Sequence, residues 1–151
     1  MNISEYIKND QTGIAEKYLA SSQEVYAYLG IDLLSFDFDN VDNKLSFNFF
    51  ADQKFQAHAE IVHGGIVASV CDTAMGVLGT VLVVSQKSVV FTATMNINYL
   101  KPMKTGLSYR VVAQVQSWKE TRLVMSTTIE NDRGETIVQS EAVFIQKHYE
   151  N

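Results

Sequence analysis

With 151 residues, 46% of them hydrophobic and 19% charged, the chain has the size and composition of one soluble domain that can bury a core without staples. Twelve Lys and Arg against seventeen Asp and Glu leave a formal charge of −5 with no basic run, which argues against nucleic acid as a partner. The single cysteine, Cys71, excludes an intramolecular disulfide and a cysteine metal cage.

The N-terminus, "MNISEYIKNDQTG", lacks the basic start and apolar block of a secretory signal. Together with the lone cysteine this gives a cytoplasmic location as the expectation. No linker, repeat or low-complexity tract interrupts the sequence, so residues 1–151 read as a single domain, with 1–28 as an N-terminal helical extension. In that extension Ile14, Tyr18, Val25 and Leu29 follow helical spacing over roughly 3–28, and Gly30 ends the helix. "LLSFDF" and "KLSFNFF" alternate apolar and polar residues around "DNVDN" and predict a hairpin.

A long helix is predicted from near Gly64 to about Val84, apolar almost all round and therefore buried. "IVHGGIVASVCDTAMGVLGTVLVV" is long enough to span a bilayer, but it carries His63 and Asp72, and a carboxylate at mid-membrane is costly. A core helix is the better reading, and no membrane partner is expected. Four strands follow. In "SVVFTATMNINYL" strict alternation puts Val89, Phe91, Ala93, Met95, Ile97 and Tyr99 on one face and Val90, Thr92, Thr94, Asn96, Asn98 and Leu100 on the other. Pro102 stops that strand. "LSYRVVAQVQSW", "TRLVMSTTIE" and "TIVQSEAVFIQK" complete the set, the last two joined by the turn "NDRG". The order predicts an α+β fold, an antiparallel sheet of about six strands curving around one helix. Its other face must meet solvent or a second subunit.

Between Glu60 and Lys87 the only charged residue is Asp72. On the helix it falls on a stripe with Gly65, Ser69, Gly76, Gly79 and Val83, opposite the core filler Val67, Val70, Ala74, Leu78 and Val81. A small stripe admits a second helix or a flat ligand. Asp72 has no cation three or four residues away, and perturbed carboxylates gather at functional sites, although a wet helix edge or a distant lysine would also account for it. The pair Gly64–Gly65 after His63 lets backbone approach a ligand, and a helix N-terminus suits an oxyanion. Eight residues separate Gly64 from Asp72, about 12 Å along one helix. A small reacting group reaches both only if a second subunit closes the gap, so a dimer is expected.

"VHGGIVASVCDTAMG" followed by "TATMNINYLKPMKTG" resembles the hotdog-fold acyl-CoA thioesterases, over roughly residues 28–147. The likeness is nearest to the phenylacetate-degradation type and its mammalian thioesterase-superfamily relatives. It implies a hotdog fold, a curved sheet wrapped around the long helix, in dimers or tetramers with sites at the subunit interface. It further implies acyl-CoA as substrate, no cofactor beyond the coenzyme A of that substrate, and no metal. By the same resemblance Asp72 is nucleophile or general base, the Gly64 N–H polarises the thioester carbonyl, and His63 orients it beside Gly65. Thr92 aligns with a hydroxyl that assists the attacking water from the partner subunit, while Lys101 and Lys104 lie where some relatives hold coenzyme A phosphates. One departure stands out: Ala57 occupies a position where relatives often carry asparagine, and His58 is the adjacent candidate substitute.

The serine-hydrolase route lacks a Gly-x-Ser-x-Gly element, and His58, His63 and His148 show no metal-ligand spacing. Three other readings remain open: a non-catalytic acyl-CoA or small-ligand binding module, a hotdog hydratase using His63 with Asp72, and a structural interaction protein.

Overall fold

The computed structural model describes residues 3–8, 10 and 13–149. Three short helices open the chain: α1 (Ile3–Lys8), α2 (Ile14–Ser21) and α3 (Gln23–Leu29). The predicted continuous helix over 3–28 is thus broken. Gly30 does end α3, in a left-handed conformation (φ 69°) that only glycine adopts freely, with its N–H on the Ala27 carbonyl. Leu29 is buried, but Val25 of the predicted stripe is 56% exposed. The side chain of Tyr18 lies outside the described residues.

The predicted hairpin is shorter on its first arm. Asp32 caps a 3₁₀ turn at Leu33–Ser35 by accepting from the Leu34 N–H at 2.9 Å, and only β1 (Asp37–Asp39) remains as strand. It pairs with β2 (Lys44–Phe50) across a turn in which Asp39 accepts from the Val41 N–H. An unpredicted two-stranded hairpin follows, β3 (Gln56–His58) and β4 (Ile61–Val62). Its turn residues Ala59 (φ 44°) and Glu60 (φ 64°) are both left-handed without being glycine, at a cost of about 1–2 kcal/mol each. The Glu60 carbonyl accepts the Thr105 N–H at 2.8 Å, which pins the hairpin to the later chain.

Helix α4 (Gly64–Val83) and the strands β5 (Ser88–Tyr99), β6 (Ser108–Lys119), β7 (Arg122–Glu130) and β8 (Thr136–His148) match the predicted order. The six-stranded sheet runs β1-β2-β6-β7-β8-β5, antiparallel throughout. Along β7 the inner residues Leu123, Met125, Thr127 and Ile129 are buried and their neighbours only partly so, the period-two signature of a sheet covered on one face. What covers it is α4, with Val67, Val70, Ala74, Leu78 and Val81 buried as predicted. The segment Gly64–Gln86 is long and apolar enough to cross a membrane by length and composition, and most of it is buried within this fold.

Two details revise the sequence reading. The small stripe is in part occupied by the protein's own sheet: a Cβ on Gly79 would stand 2.9 Å from Val90 Cγ2 and 3.1 Å from Met125 Cε. Second, β5 does not alternate strictly. Thr92 pairs with Phe144 and Thr94 with Val143, leaving Ala93 as the extra residue of a bulge. Before the bulge Val90 and Thr92 face α4. After it Met95, Ile97 and Tyr99 do, while Phe91 is half-exposed.

Candidate active site

Helix α4 carries a site at each end of its exposed edge. At the start, the His63 N–H is anchored on the Phe55 carbonyl at 2.9 Å, which sets the residue as the N-cap. Its Nδ1 accepts from the Gly65 N–H at 2.9 Å, and its carbonyl accepts from Ile66 and Val67. Of the four first-turn donors that a helix leaves without intrahelical partners, three are thereby engaged. The fourth, Gly64 N–H, meets no protein acceptor among the described residues. The Gly64 carbonyl accepts from Tyr99 Oη at 2.8 Å.

Two turns on, Asp72 is half-buried rather than fully enclosed. It is also not alone. Thr92 Oγ1 donates to Asp72 Oδ1 at 2.7 Å, a charge-assisted contact across 20 residues of sequence. No cation pairs with Asp72 among the described residues. The two side chains open into a pocket of about 240 Å³ walled by Thr73, Phe91 and Phe144, with Val25 and Tyr26 contributed by α3 and Ser22 by its N-cap. The N-terminal extension therefore forms part of this pocket. A carboxylate oriented by a hydroxyl, with solvent access, can take a proton from water or attack an electrophile.

The remaining predicted residues are placed as follows. Gly65 lies under the His63 ring: a Cβ there would be 3.1 Å from Nδ1, so the second glycine seats the imidazole. Ala57 and His58 sit exposed on β3, and no hydrogen bond joins His58 to Asp72 or Thr92 among the described residues. Lys101 donates to Glu135, which together with a bond from Asn131 holds the Glu135 carboxyl below its ordinary range. The Lys104 backbone brackets the Tyr109 hydroxyl, its N–H donating at 2.9 Å and its carbonyl accepting at 3.2 Å. Lys101 and Lys104 border one cleft of about 430 Å³ with Arg133. Among the described residues no group of three His, Cys, Asp or Glu side chains could hold a metal ion.

Sequence reasoning missed Tyr99, Arg133 and the pocket residues of α3 and its N-cap. Tyr99 belongs to the quoted "NYLKP" block, so its position was flagged though its contact was not. Arg133 looked like ordinary turn filler in "NDRG". Ser22 and Tyr26 carry no signal of their own.

Comparison with known proteins agrees with this architecture. Residues 59–138 match the family model described as the thioesterase superfamily. Acyl-coenzyme A thioesterase THEM4 of Rattus norvegicus is 26% identical over 144 residues, 95% of this chain. The chain spans only 59% of that relative's length. Among solved structures, the E. coli PaaI protein from the phenylacetic acid degradation operon superposes with a TM-score of 0.72 at 19% identity, covering 88% of this chain and 93% of that one. The Streptococcus mutans protein smu.793, solved bound to acetyl CoA, gives 0.66 at 19% identity over 77% of this chain and 91% of the other. These likenesses establish the hotdog fold: one long helix held in a curved antiparallel sheet. Since the family model covers more than half of the sequence, including both motif blocks, the chain belongs to the thioesterase superfamily.

Proposed function

We propose that the protein hydrolyses acyl-CoA thioesters to free acid and coenzyme A. The observation that carries this reading is the Thr92–Asp72 hydrogen bond of 2.7 Å, which holds a solvent-accessible carboxylate in the motif of a thioesterase family. In the general-base form a water adds to the thioester carbonyl carbon and its proton passes to Asp72. The carbonyl electron pair moves onto oxygen, where the Gly64 N–H receives the developing charge. Collapse breaks the C–S bond, and the leaving thiolate takes the proton from Asp72. In the nucleophilic form Asp72 itself adds to the carbonyl, and collapse breaks the C–S bond to expel the coenzyme A thiolate and leave an acyl-aspartate. Water then hydrolyses that anhydride, freeing the acid and the Asp72 carboxylate and giving a proton to the thiolate. Neither form calls on a cofactor.

The site is completed by a second copy of the chain. Gly64 and Asp72 of one helix are about 12 Å apart along its axis, too far to share one carbonyl. Strand β5, 12 residues long, is one of the two edge strands of the sheet, and its free edge offers unpaired backbone donors and acceptors to a partner. Lys101 and Lys104 are assigned to the coenzyme A phosphates, with Arg133 on the same cleft. The naming of the rat relative as an acyl-coenzyme A thioesterase and the acetyl CoA bound to the S. mutans neighbour support this substrate class.

The test is thiol release from short, long and aromatic acyl-CoAs by wild type beside Asp72→Asn, which keeps the shape and removes the basicity. The expected result is turnover by wild type and a loss of at least about a hundredfold in the variant. Binding of acyl-CoA without turnover in either protein favours a binding module instead. Ala57, which brings no polar group where relatives often hold asparagine, is the feature that would explain that outcome. Equal rates in both proteins refute the role given to Asp72.

A further inference from the structure

The contact between Tyr99 and the first turn of α4 has no part in the reaction as proposed, yet it ends on that reaction's proposed oxyanion site. Tyr99 Oη donates to the Gly64 carbonyl at 2.8 Å. That carbonyl belongs to the Gly64–Gly65 peptide, whose N–H donates in turn to His63 Nδ1 at 2.9 Å. Phenol, peptide and imidazole thus form one continuous chain. Hydrogen bonding at a peptide oxygen increases the polarity of the same peptide's N–H, because resonance couples the two. Burial raises the Tyr99 phenol above its ordinary range, so its donor proton stays in place at neutral pH.

The consequence falls on the imidazole. A ring nitrogen that accepts a hydrogen bond carries no proton, so neutral His63 must hold its proton on Nε2. Gly65 leaves the room this arrangement needs, since a Cβ there would stand 3.1 Å from Nδ1 and 3.2 Å from Cε1. His63 is exposed, and its Nε2 has no protein acceptor among the described residues. The donor is therefore directed outward, beside a helix terminus whose Gly64 N–H is also unengaged.

We infer that Tyr99 is a positioning residue that acts through the Gly64–Gly65 peptide to hold His63 as the Nε2–H tautomer, so that His63 presents a proton rather than a lone pair to the thioester. This rests on the hydrolase reading above. It makes Tyr99, at the end of β5, the support of the oxyanion end of the site, as Thr92 supports the carboxylate end.

Tyr99→Phe tests it, since the variant keeps the ring beside Gly64 and loses only the hydroxyl. Two readouts are needed: steady-state kinetics with an acyl-CoA that wild type turns over, and the nitrogen-15 NMR spectrum of the His63 imidazole. The expected result is a fall in kcat of about fivefold to tenfold with KM within about twofold, as for loss of one hydrogen bond acting in the transition state. The spectrum should move from the Nε2–H pattern toward a mixture of tautomers. Asp72→Asn, by contrast, should lower turnover by at least about a hundredfold and leave the His63 spectrum unchanged. An unchanged tautomer in Tyr99→Phe overturns the inference, whether kcat is kept or KM and kcat decline together. Failure of the hydrolase reading looks different: wild type then releases no thiol from any acyl-CoA, and the assignment of Tyr99 falls with it.

Discussion

Replacing Thr92 with valine removes one hydroxyl and keeps a β-branched side chain suited to the strand. The hydroxyl donates to Asp72 Oδ1 at 2.7 Å, and hydrogen bonds to charged groups contribute about 1.5–3 kcal/mol when well enclosed. Asp72 is half-buried and faces an open pocket, so water can replace part of the lost bond. A value nearer 1–2 kcal/mol is therefore expected, which corresponds to about a fivefold to thirtyfold fall in kcat/KM. Stability should hardly move, since a solvent-accessible carboxylate is not left stranded by the change. Thiol release measured for Thr92→Val and Thr92→Ser, each beside a thermal melt, makes the test. Serine retains the donor and should recover most of the activity. If Thr92→Val keeps wild-type kcat/KM, or if serine is as impaired as valine, the hydroxyl does not orient Asp72 and the reasoning is refuted.

Gly79→Ala should destabilise the fold by about 1 kcal/mol, because overpacking of about 1–3 kcal/mol outweighs the gain of about 1 kcal/mol in helix propensity. The clash is with the stiff Val90 side chain at 2.9 Å, so Val90→Ala should cost less stability in the Gly79→Ala background than in wild type; a Gly79→Ala melt above wild type would contradict this. Cys71 is fully buried, and burial pushes its thiol up to about 11. Its folded pKa exceeds the unfolded value near 9, so the associated stability is intact below pH 9 and is lost as pH rises through 11. Alkylation at pH 8 should accordingly wait for unfolding, and rapid labelling of the native protein would show the thiol to be accessible.

The elements most legible in the sequence are those whose burial is one-sided or complete. Helix α4 was readable because an apolar run of its length, started by a histidine cap and paired glycines, has few other solutions. Strands β6, β7 and β8 were readable because one face of the sheet is buried, which writes a period of two into the sequence. The N-terminal extension was harder to read, since its short helices follow helical spacing only locally and Val25 turns to the pocket mouth instead of the core. The hairpin β3–β4 was not readable at all: "AHAE" contains neither glycine nor asparagine at its two left-handed positions, so the usual turn signal is missing. At the site, the residue types at His63, Gly64 and Asp72 were conspicuous because they are out of place on an apolar helix. Arg133 was not, because an arginine in a polar turn is unremarkable until the fold sets it beside Lys101 and Lys104.

The arrangement around α4 depends on a feature that has no sequence signature. Thr92 and Tyr99 are seven positions apart, an odd number, so an unbroken strand would point them to opposite faces of the sheet. Strict alternation accordingly separates them and sends Thr92 away from Tyr99. The bulge at Ala93 adds one residue to β5 opposite the Phe144–Val143 step of β8, and every side chain beyond it changes face. Both residues then meet α4: Thr92 at Asp72 and Tyr99 at Gly64. One strand thereby supports both the carboxylate and the oxyanion end of the same helix, and that is why the two ends must be tested together. Deleting Ala93 would leave Thr92 and Tyr99 six positions apart, an even number, so an unbroken β5 would keep both on the face that meets α4. Thiol release by the deletion variant should therefore fall less than for Thr92→Val or Tyr99→Phe, and a larger loss in a variant that keeps its fold would show that the bulge does more than set the two facings.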